Sequence, residues 1–153
     1  MPARILLADA DERTRSLYAR SLRVSACDIV EVSDGRDALV NALVHEPSLV
    51  VTELDLPHVD GFALCQILRH DRTTADVPIM VVTSETRSVE IERARQVGAN
   101  IVLQKPVQID ILLQEASRLL LHSHDLRHRA AIARKRAAEQ LRRSASLLRR
   151  RAS

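Results

Sequence analysis

Aromatic side chains are almost absent from this sequence: Tyr18 and Phe62 are the only two in 153 residues, and tryptophan is missing. The chain therefore offers no cluster of rings against which a flavin would stack. Hydrophobic residues still make up 46% of the chain, which is enough for a core. That core must consist of Leu, Val, Ile and Ala, the composition of buried strands in α/β proteins.

Other signatures are missing as well. Cys27 and Cys65 are isolated in the sequence, so there is neither a disulfide framework nor a metal-binding spacing. No Gly-rich phosphate loop or nucleophile elbow is visible, so we expect no enzymatic activity. No run of about 18 apolar residues is present to span a membrane, and the N-terminus lacks the apolar region of a signal peptide. We therefore expect a soluble, cytoplasmic protein.

Charge is distributed unevenly along the chain. The net charge of +3 combines a basic C-terminal segment with an acidic remainder. From residue 122 onward there are ten Lys and Arg residues against two acids, a net charge of +8, whereas the preceding residues carry −5. We therefore divide the chain into an acidic domain, residues 1–121, and a basic helical extension, residues 122–153.

Short apolar runs alternate with helical segments through the acidic domain. The predicted strands are Arg4–Ala8, Asp28–Val32, Leu49–Val51, Ile79–Thr83 and Ile101–Gln104. The predicted helices are Arg13–Leu22, Arg36–His45, Asp60–His70, Arg87–Val97 and a last one that begins near Gln108. Five such repeats predict a doubly wound α/β fold with a parallel sheet and helices on both faces.

Polar residues follow several of the predicted strands, at the sheet edge where α/β proteins carry their chemistry. They are Asp9, Asp11, Glu53, Asp55, Thr83 and Lys105. Together with the surrounding motifs Ile5–Asp9, Pro47–Gly61, Pro78–Thr83 and Lys105-Pro106, they make the chain similar to a known family. Residues 3–121 resemble the receiver domain of two-component response regulators. The resemblance implies a flavodoxin-like fold with five strands in the order 2-1-3-4-5.

In that family, an acidic pair after the first strand and an aspartate after the third bind Mg²⁺. The aspartate accepts a phosphoryl group from a histidine kinase, and a Thr or Ser and a Lys contact the phosphate. Here Asp9 matches the first acid, but the second falls on Ala10 and the phosphoacceptor falls on Glu53. Thr83 and Lys105 match the phosphate-contacting pair. The resemblance is therefore to a degenerate receiver, or pseudo-receiver.

Two interpretations of Glu53 follow from its extra methylene, which extends the carboxylate by about 1–1.5 Å. In the first, Glu53 pairs with Lys105 and Thr83 and mimics a phosphorylated state. In the second, the site has decayed and Glu53 is a solvated acid at the strand end. Val102 stands at the family's aromatic switch position and has no ring to rotate, which weakens the first interpretation.

Metal binding is a weak expectation. Asp9 and the side chain of Asp55 are the candidate ligands for Mg²⁺, because Asp55 would replace the acid lost at position 10. The alternative is that Asp55 faces water in a loop. Asp11 is expected to cap a helix. His124 and His128 are four residues apart and would share either a metal or a solvated helix face.

The basic extension lacks Gly and Pro and is rich in Ala, Arg and Leu, so the last helix is predicted to run on to about Leu148. An apolar stripe follows its length at Leu119, Leu126, Ala130, Ala133, Ala137, Leu141, Ala145 and Leu148. The stripe favours a homodimer through this helix or docking on another protein. The arginines also suit nucleic acid, without sequence specificity, or an anionic membrane surface. A frayed, solvated tail is the remaining alternative.

The sequence thus predicts a phosphorylation-independent signalling module that binds a signalling protein or a histidine kinase. The alternative is a genuine phospho-accepting switch in a phosphorelay, with Glu53 or Asp55 as the acceptor.

Overall fold

The computed structural model describes residues 3–23 and 27–152, and within these ranges strands and helices alternate. The strands are β1 (Arg4–Ala8), β2 (Asp28–Val32), β3 (Leu49–Thr52), β4 (Ile79–Thr83) and β5 (Ile101–Gln104). The helices are α1 (Glu12–Arg23), α2 (Gly35–His45), α3 (Gly61–His70), α4 (Ser88–Gln96) and α5 (Ile109–Arg151). Every predicted element is present, and its boundaries lie within one residue of the prediction except at the end of α5. The prediction about a signal peptide includes Met1 and Pro2, which lie outside the described residues.

The five strands form one parallel sheet in the order β2-β1-β3-β4-β5, which confirms the predicted fold class and strand order. Ala8 is in register with Thr52, and Thr52 with Val81. Thr83 is in register with Gln104. The residues that follow β1, β3, β4 and β5 therefore meet at one edge of the sheet.

Successive side chains of each central strand point to opposite faces of the sheet and build two cores. Leu6, Val50 and Ile79 belong to the core beneath α2, α3 and α4. Leu7 and Val51 belong to the core beneath α1 and the first turns of α5. Because both faces are covered, every residue of β3 and β4 is buried, and the sheet edge is held rigidly from both sides.

The loop after β3 is fixed by two close backbone approaches. The Gly61 N–H donates to the Leu54 carbonyl at 2.8 Å, and the Gly35 N–H donates to the Pro57 carbonyl at 3.0 Å. A Cβ at position 61 would lie 2.5 Å from the Glu53 carbonyl oxygen, so only glycine fits there. Asp60 caps α3 by accepting from the Ala63 N–H, as its position predicted.

Helix α5 has 43 residues, and its buried residues all belong to its N-terminal part: Leu112, Ala116, Leu119 and Ser123. Every described residue from 124 to 152 is exposed. The contacts within the chain divide it after Ser123 into two units. The prediction of an uninterrupted last helix is confirmed, and it ends at Arg151 rather than near Leu148. In the parts of the chain that the structure describes, no helix is long and apolar enough to cross a membrane.

Candidate functional site at the carboxyl edge of the sheet

Glu53 follows β3 directly and is 5% exposed. Its backbone N–H donates to the Ala8 carbonyl at 3.0 Å, which places the residue beside the end of β1. Its Oε1 accepts from the Leu54 N–H at 2.6 Å. Its Oε2 lies 2.9 Å from the Lys105 ammonium and accepts from the N–H and the hydroxyl of Ser84 at 3.1 and 3.3 Å. Both carboxylate oxygens are therefore engaged by neighbouring donors.

Lys105 bridges two carboxylates across the sheet edge. Its Nζ lies 2.8 Å from Asp9 Oδ2 and 2.9 Å from Glu53 Oε2, and its side chain is only 16% exposed. The other oxygen of Asp9 accepts from the Asp11 N–H at 2.9 Å. Two buried acids thus share one ammonium, which leaves this cluster with one net negative charge.

Thr83 and Ser84 close the cluster from the end of β4. The Thr83 carbonyl accepts from the Lys105 N–H at 2.7 Å, which ties the two strand ends together. The Thr83 hydroxyl oxygen accepts from the Glu85 N–H at 3.0 Å. Hydrogen bonding of the Thr83 side chain to Glu53 lowers the pKa of that carboxylate. Ser84 supplies two donors to Glu53, one from its backbone and one from its hydroxyl.

The electrostatics of the cluster favour its charged form. Burial raises the pKa of Glu53, but hydrogen bonds from Thr83, Lys105 and the Leu54 N–H outweigh it, and the net pKa lies below the ordinary value. Burial lowers the pKa of Lys105, but its bonds to Asp9 and Glu53 outweigh that effect and raise the pKa overall. Both groups are therefore ionised at neutral pH.

An open cleft of about 460 Å³ lies over Glu53, between the loops that follow β3 and β4. Glu85, on its wall, accepts from the Arg87 N–H and guanidinium at 2.9 Å, and these bonds lower the pKa of Glu85 to about 2. Arg87 is the N-cap residue of α4. The cleft wall is thus a structured loop, residues 83–88, that leads directly into α4.

Comparison with known proteins identifies the family to which this fold belongs. Residues 5–117 match the family described as the response regulator receiver domain. The chain belongs to that family. The match covers the sheet from Ile5 onward and the first turns of α5, and it assigns this receiver to two-component signalling.

The relatives include larger regulators. The receiver is 32% identical over 117 residues to the DNA-binding dual master transcriptional regulator RpaA of Synechocystis, an alignment that covers 76% of this chain and 48% of RpaA. It is 34% identical over 120 residues to the response regulator MprA of Mycolicibacterium vanbaalenii, covering 78% of this chain and 51% of MprA. The chain thus spans about half the length of these curated relatives.

Solved structures share the fold at lower identity. A CheY-like receiver domain protein from Methanospirillum hungatei superposes with a TM-score of 0.76 at 18% identity, over 82% of this chain and 98% of that one. At this identity the likeness concerns the fold alone.

The sequence-predicted site residues fall into two groups. Asp9, Glu53, Thr83 and Lys105 come together, and the Glu53–Lys105 contact of the first interpretation is present. Asp55 is exposed on the rim of the cleft. Asp11 caps α1 by accepting from the Thr14 N–H at 3.0 Å, as predicted.

Sequence reasoning missed Ser84 and the contact between Asp9 and Lys105. Ser84 directly follows Thr83, which matches the phosphate-contacting position of the family, and this adjacency could have indicated that Ser84 belongs to the site. The Asp9–Lys105 contact joins residues 96 positions apart and depends on the order of the strands. On α5, the rings of His124 and His128 stack with centroids 6.3 Å apart.

Receiver domains in general bind Mg²⁺ at the phosphorylation site, but the residues present here do not fit that ion. Ala10 provides no side-chain oxygen, and the oxygens of Asp9 and Glu53 are already bound to donors. Within residues 3–23 and 27–152, no group of three or more His, Cys, Asp or Glu side chains is arranged to hold a metal ion. Asp55, the predicted replacement for the missing acid, is exposed on the rim of the cleft and forms no such group with Asp9 in the described part of the chain. Lys105 is the cation that lies between the two carboxylates.

Proposed function

We propose that this receiver works without phosphotransfer, as a protein-interaction module of two-component signalling in which Glu53 is a fixed negative charge. The observation that supports the proposal most strongly is the double bridge of Lys105, 2.8 Å from Asp9 and 2.9 Å from Glu53. The glutamate occupies the position of the phosphoacceptor and already contacts the lysine and the threonine that would meet a phosphate.

The hydrogen bonding of Glu53 argues against a role as nucleophile. Phosphoryl transfer depends on a correctly positioned attacking oxygen and on a metal ion that neutralises charge on the transferring group. Oε1 of Glu53 accepts from the N–H of the next residue, Leu54, in the loop after β3, and Oε2 is held by Lys105 and Ser84. An attack on phosphorus would have to break these bonds without the help of a metal.

Glu53 is linked to the surface through the loop 83–88. The carboxylate holds Ser84 by two hydrogen bonds, and the Glu85 side chain then orders Arg87, the N-cap of α4. Val89, in the first turn of α4, is 76% exposed. A permanent charge at position 53 therefore fixes this loop and the adjacent surface in one arrangement, which is the form that a signalling protein or a histidine kinase would bind.

In this proposal, the extension mediates self-association of the chain. The exposed stripe includes Leu141 at 72% exposure and Leu148 at 67%, and pairing with a second copy would cover it. We expect the full chain to sediment as a dimer at tens of micromolar. A monomer at that concentration contradicts this part of the proposal and leaves the receiver function untouched.

The decisive experiment is incubation of the full chain with acetyl phosphate and Mg²⁺, followed by intact mass spectrometry. We expect no phosphoryl adduct on the wild type. The double variant Ala10→Asp/Glu53→Asp, which restores both acids of the family pattern, is the positive control and should acquire one phosphoryl group. An adduct on the wild type that disappears in Glu53→Gln would overturn the proposal in favour of a phospho-accepting switch.

A second measurement separates a fixed charge that orders the loop from a decayed site. In Glu53→Gln, the amide NMR signals of Ser84 and Val89 should both move, because the carboxylate that orders the loop is gone. Asp55→Asn, on the rim of the same cleft, is the control and should leave Val89 in place. An unmoved Val89 signal in Glu53→Gln would mean that position 53 does not control this surface.

A further inference from the structure

The exposed part of α5, residues 124–151, is a basic rod. At 1.5 Å per residue it is about 42 Å long. All of its residues are exposed, and it carries ten Lys and Arg residues against Asp125 and Glu139. Asp125 pairs with Arg129 at 3.1 Å, and the two acids leave the rod with a net charge of +8.

Most of the basic residues of the rod lie outside its apolar stripe. With 3.6 residues per turn, the stripe from Leu126 to Leu148 covers about one third of the circumference. Arg127, Arg134 and Arg151 lie within the stripe or at its borders. The other basic residues form a basic face, which also includes the exposed side chains of Ile132 and Leu147: Arg129, Lys135, Arg136, Arg142, Arg143, Arg149 and Arg150. The basic face therefore stays accessible even when the stripe is covered by a second helix.

We propose that this basic face binds double-stranded DNA through its phosphates, without sequence preference. Charge complementarity selects the occupant: a row of cations about 42 Å long matches a polymer that carries one negative charge per about 1.7 Å of its axis. The proposal concerns the extension alone and does not depend on the function of Glu53.

The composition of the rod favours duplex DNA over other nucleic acids. Single strands are bound on aromatic platforms, and residues 124–152 contain no Phe, Tyr or Trp. The phosphates of B-DNA line a major groove about 12 Å wide, whereas those of A-form RNA line a deep and narrow one. Exposed cations can reach the phosphates of duplex DNA from outside the groove, so this contact does not require an unpaired helix.

The stripe argues against a membrane surface as the primary partner. Helices that lie on bilayers insert bulky groups such as Trp, Phe and Leu from the apolar face. Here the stripe consists mainly of Ala, with Leu126, Leu141 and Leu148 as its large members. Because alanine buries little area, insertion contributes little free energy, and the charges dominate.

The test is fluorescence anisotropy of the full chain with a labelled random duplex of about 25 base pairs, which is longer than the rod. If about five phosphates are neutralised, affinity should fall about 500-fold between 50 and 200 mM salt. An unrelated duplex of the same length should bind equally well.

Matched charge variants localise the contact. The triple variant Arg134→Gln/Lys135→Gln/Arg136→Gln keeps good helix formers and should lower affinity at least tenfold and reduce the salt slope by about 3. The control is Arg20→Gln/Arg36→Gln/Arg72→Gln, three exposed positions outside the extension, with the same change in net charge. Circular dichroism of both variants checks that the helix content is preserved.

Three outcomes would overturn the proposal. The first is absence of duplex binding at 50 mM salt. The second is equal loss of affinity in both triple variants, which would mean that net charge alone acts. The third is retention on vesicles of equal parts phosphatidylserine and phosphatidylcholine without retention on DNA, which would assign the basic face to a membrane surface.

Discussion

The two lysines of this chain stand in opposite environments. Lys105 is 16% exposed and lies within 3 Å of two buried carboxylates, whereas Lys135 is exposed on the extension between Arg134 and Arg136. The ammonium group of Lys105 therefore neutralises negative charge in the receiver, whereas that of Lys135 adds to the positive charge of the extension. In the receiver, Lys105 is neutralised by carboxylates of the same chain. In the extension most of the charge is exposed to solvent, which leaves it accessible to the duplex DNA proposed above.

The largest expected effect comes from removing the charge of each lysine in turn. Lys105→Met leaves Asp9 and Glu53 without their shared cation, and we expect a loss of about 3 kcal/mol in the free energy of unfolding at neutral pH. Lys135→Met removes an exposed charge and should change that free energy by less than about 0.5 kcal/mol. Urea titration of the two variants beside the wild type measures the difference.

A double variant tests whether the stability lost in Lys105→Met comes from the two unpaired acids. Lys105→Met/Glu53→Gln removes one of the two acids and should recover part of the lost stability, since a single carboxylate then remains. If Lys105→Met were as stable as Lys135→Met, the bridge would contribute nothing, and the proposed fixed charge would lose its physical basis.

Glu53→Gln is expected to have an intermediate effect, about 2 kcal/mol at neutral pH, because the amide cannot accept all the bonds that the carboxylate accepts. The pKa of Glu53 is lowered by folding, so its stabilisation is present above the ordinary value of 4.5 and is lost as the pH falls through the folded pKa. The pKa of Lys105 is raised, so its stabilisation is present below 10.5 and is lost as the pH rises through the folded pKa.

Urea unfolding between pH 3 and pH 7 tests this pH dependence. The wild type should lose more stability toward acid than Glu53→Gln does. Glu139→Gln, the same substitution on the exposed extension, should follow the wild type throughout. Parallel acid curves for all three proteins would contradict an ionised, stabilising Glu53.

The contrast between the two regions also explains what could be predicted from the sequence. Strand positions such as Leu49–Val51 follow from short apolar runs, and the place of Glu53 and Lys105 at the sheet edge follows from the repeated βα pattern. The bridge from Lys105 to Asp9 could not be predicted in this way, because it depends on how the ends of β1, β3 and β5 are aligned in space. The binding partner of the extension could not be predicted from the receiver, because no residue of the receiver has to be complementary to that partner.

The smallest expected effect on stability comes from the extension, where Leu141→Ala should change the free energy of unfolding of the receiver by less than about 0.5 kcal/mol. Leu112→Ala, on the same helix but fully buried, should cost about 3 kcal/mol, because it leaves a cavity in the core beneath α1 and α5. Sedimentation should show the reverse order. Leu141→Ala removes the most exposed leucine of the stripe and should weaken the dimer, whereas Leu112→Ala should leave the dimer intact. If Leu141→Ala destabilised the receiver as much as Leu112→Ala does, the extension would be part of the receiver's fold rather than a separate binding element.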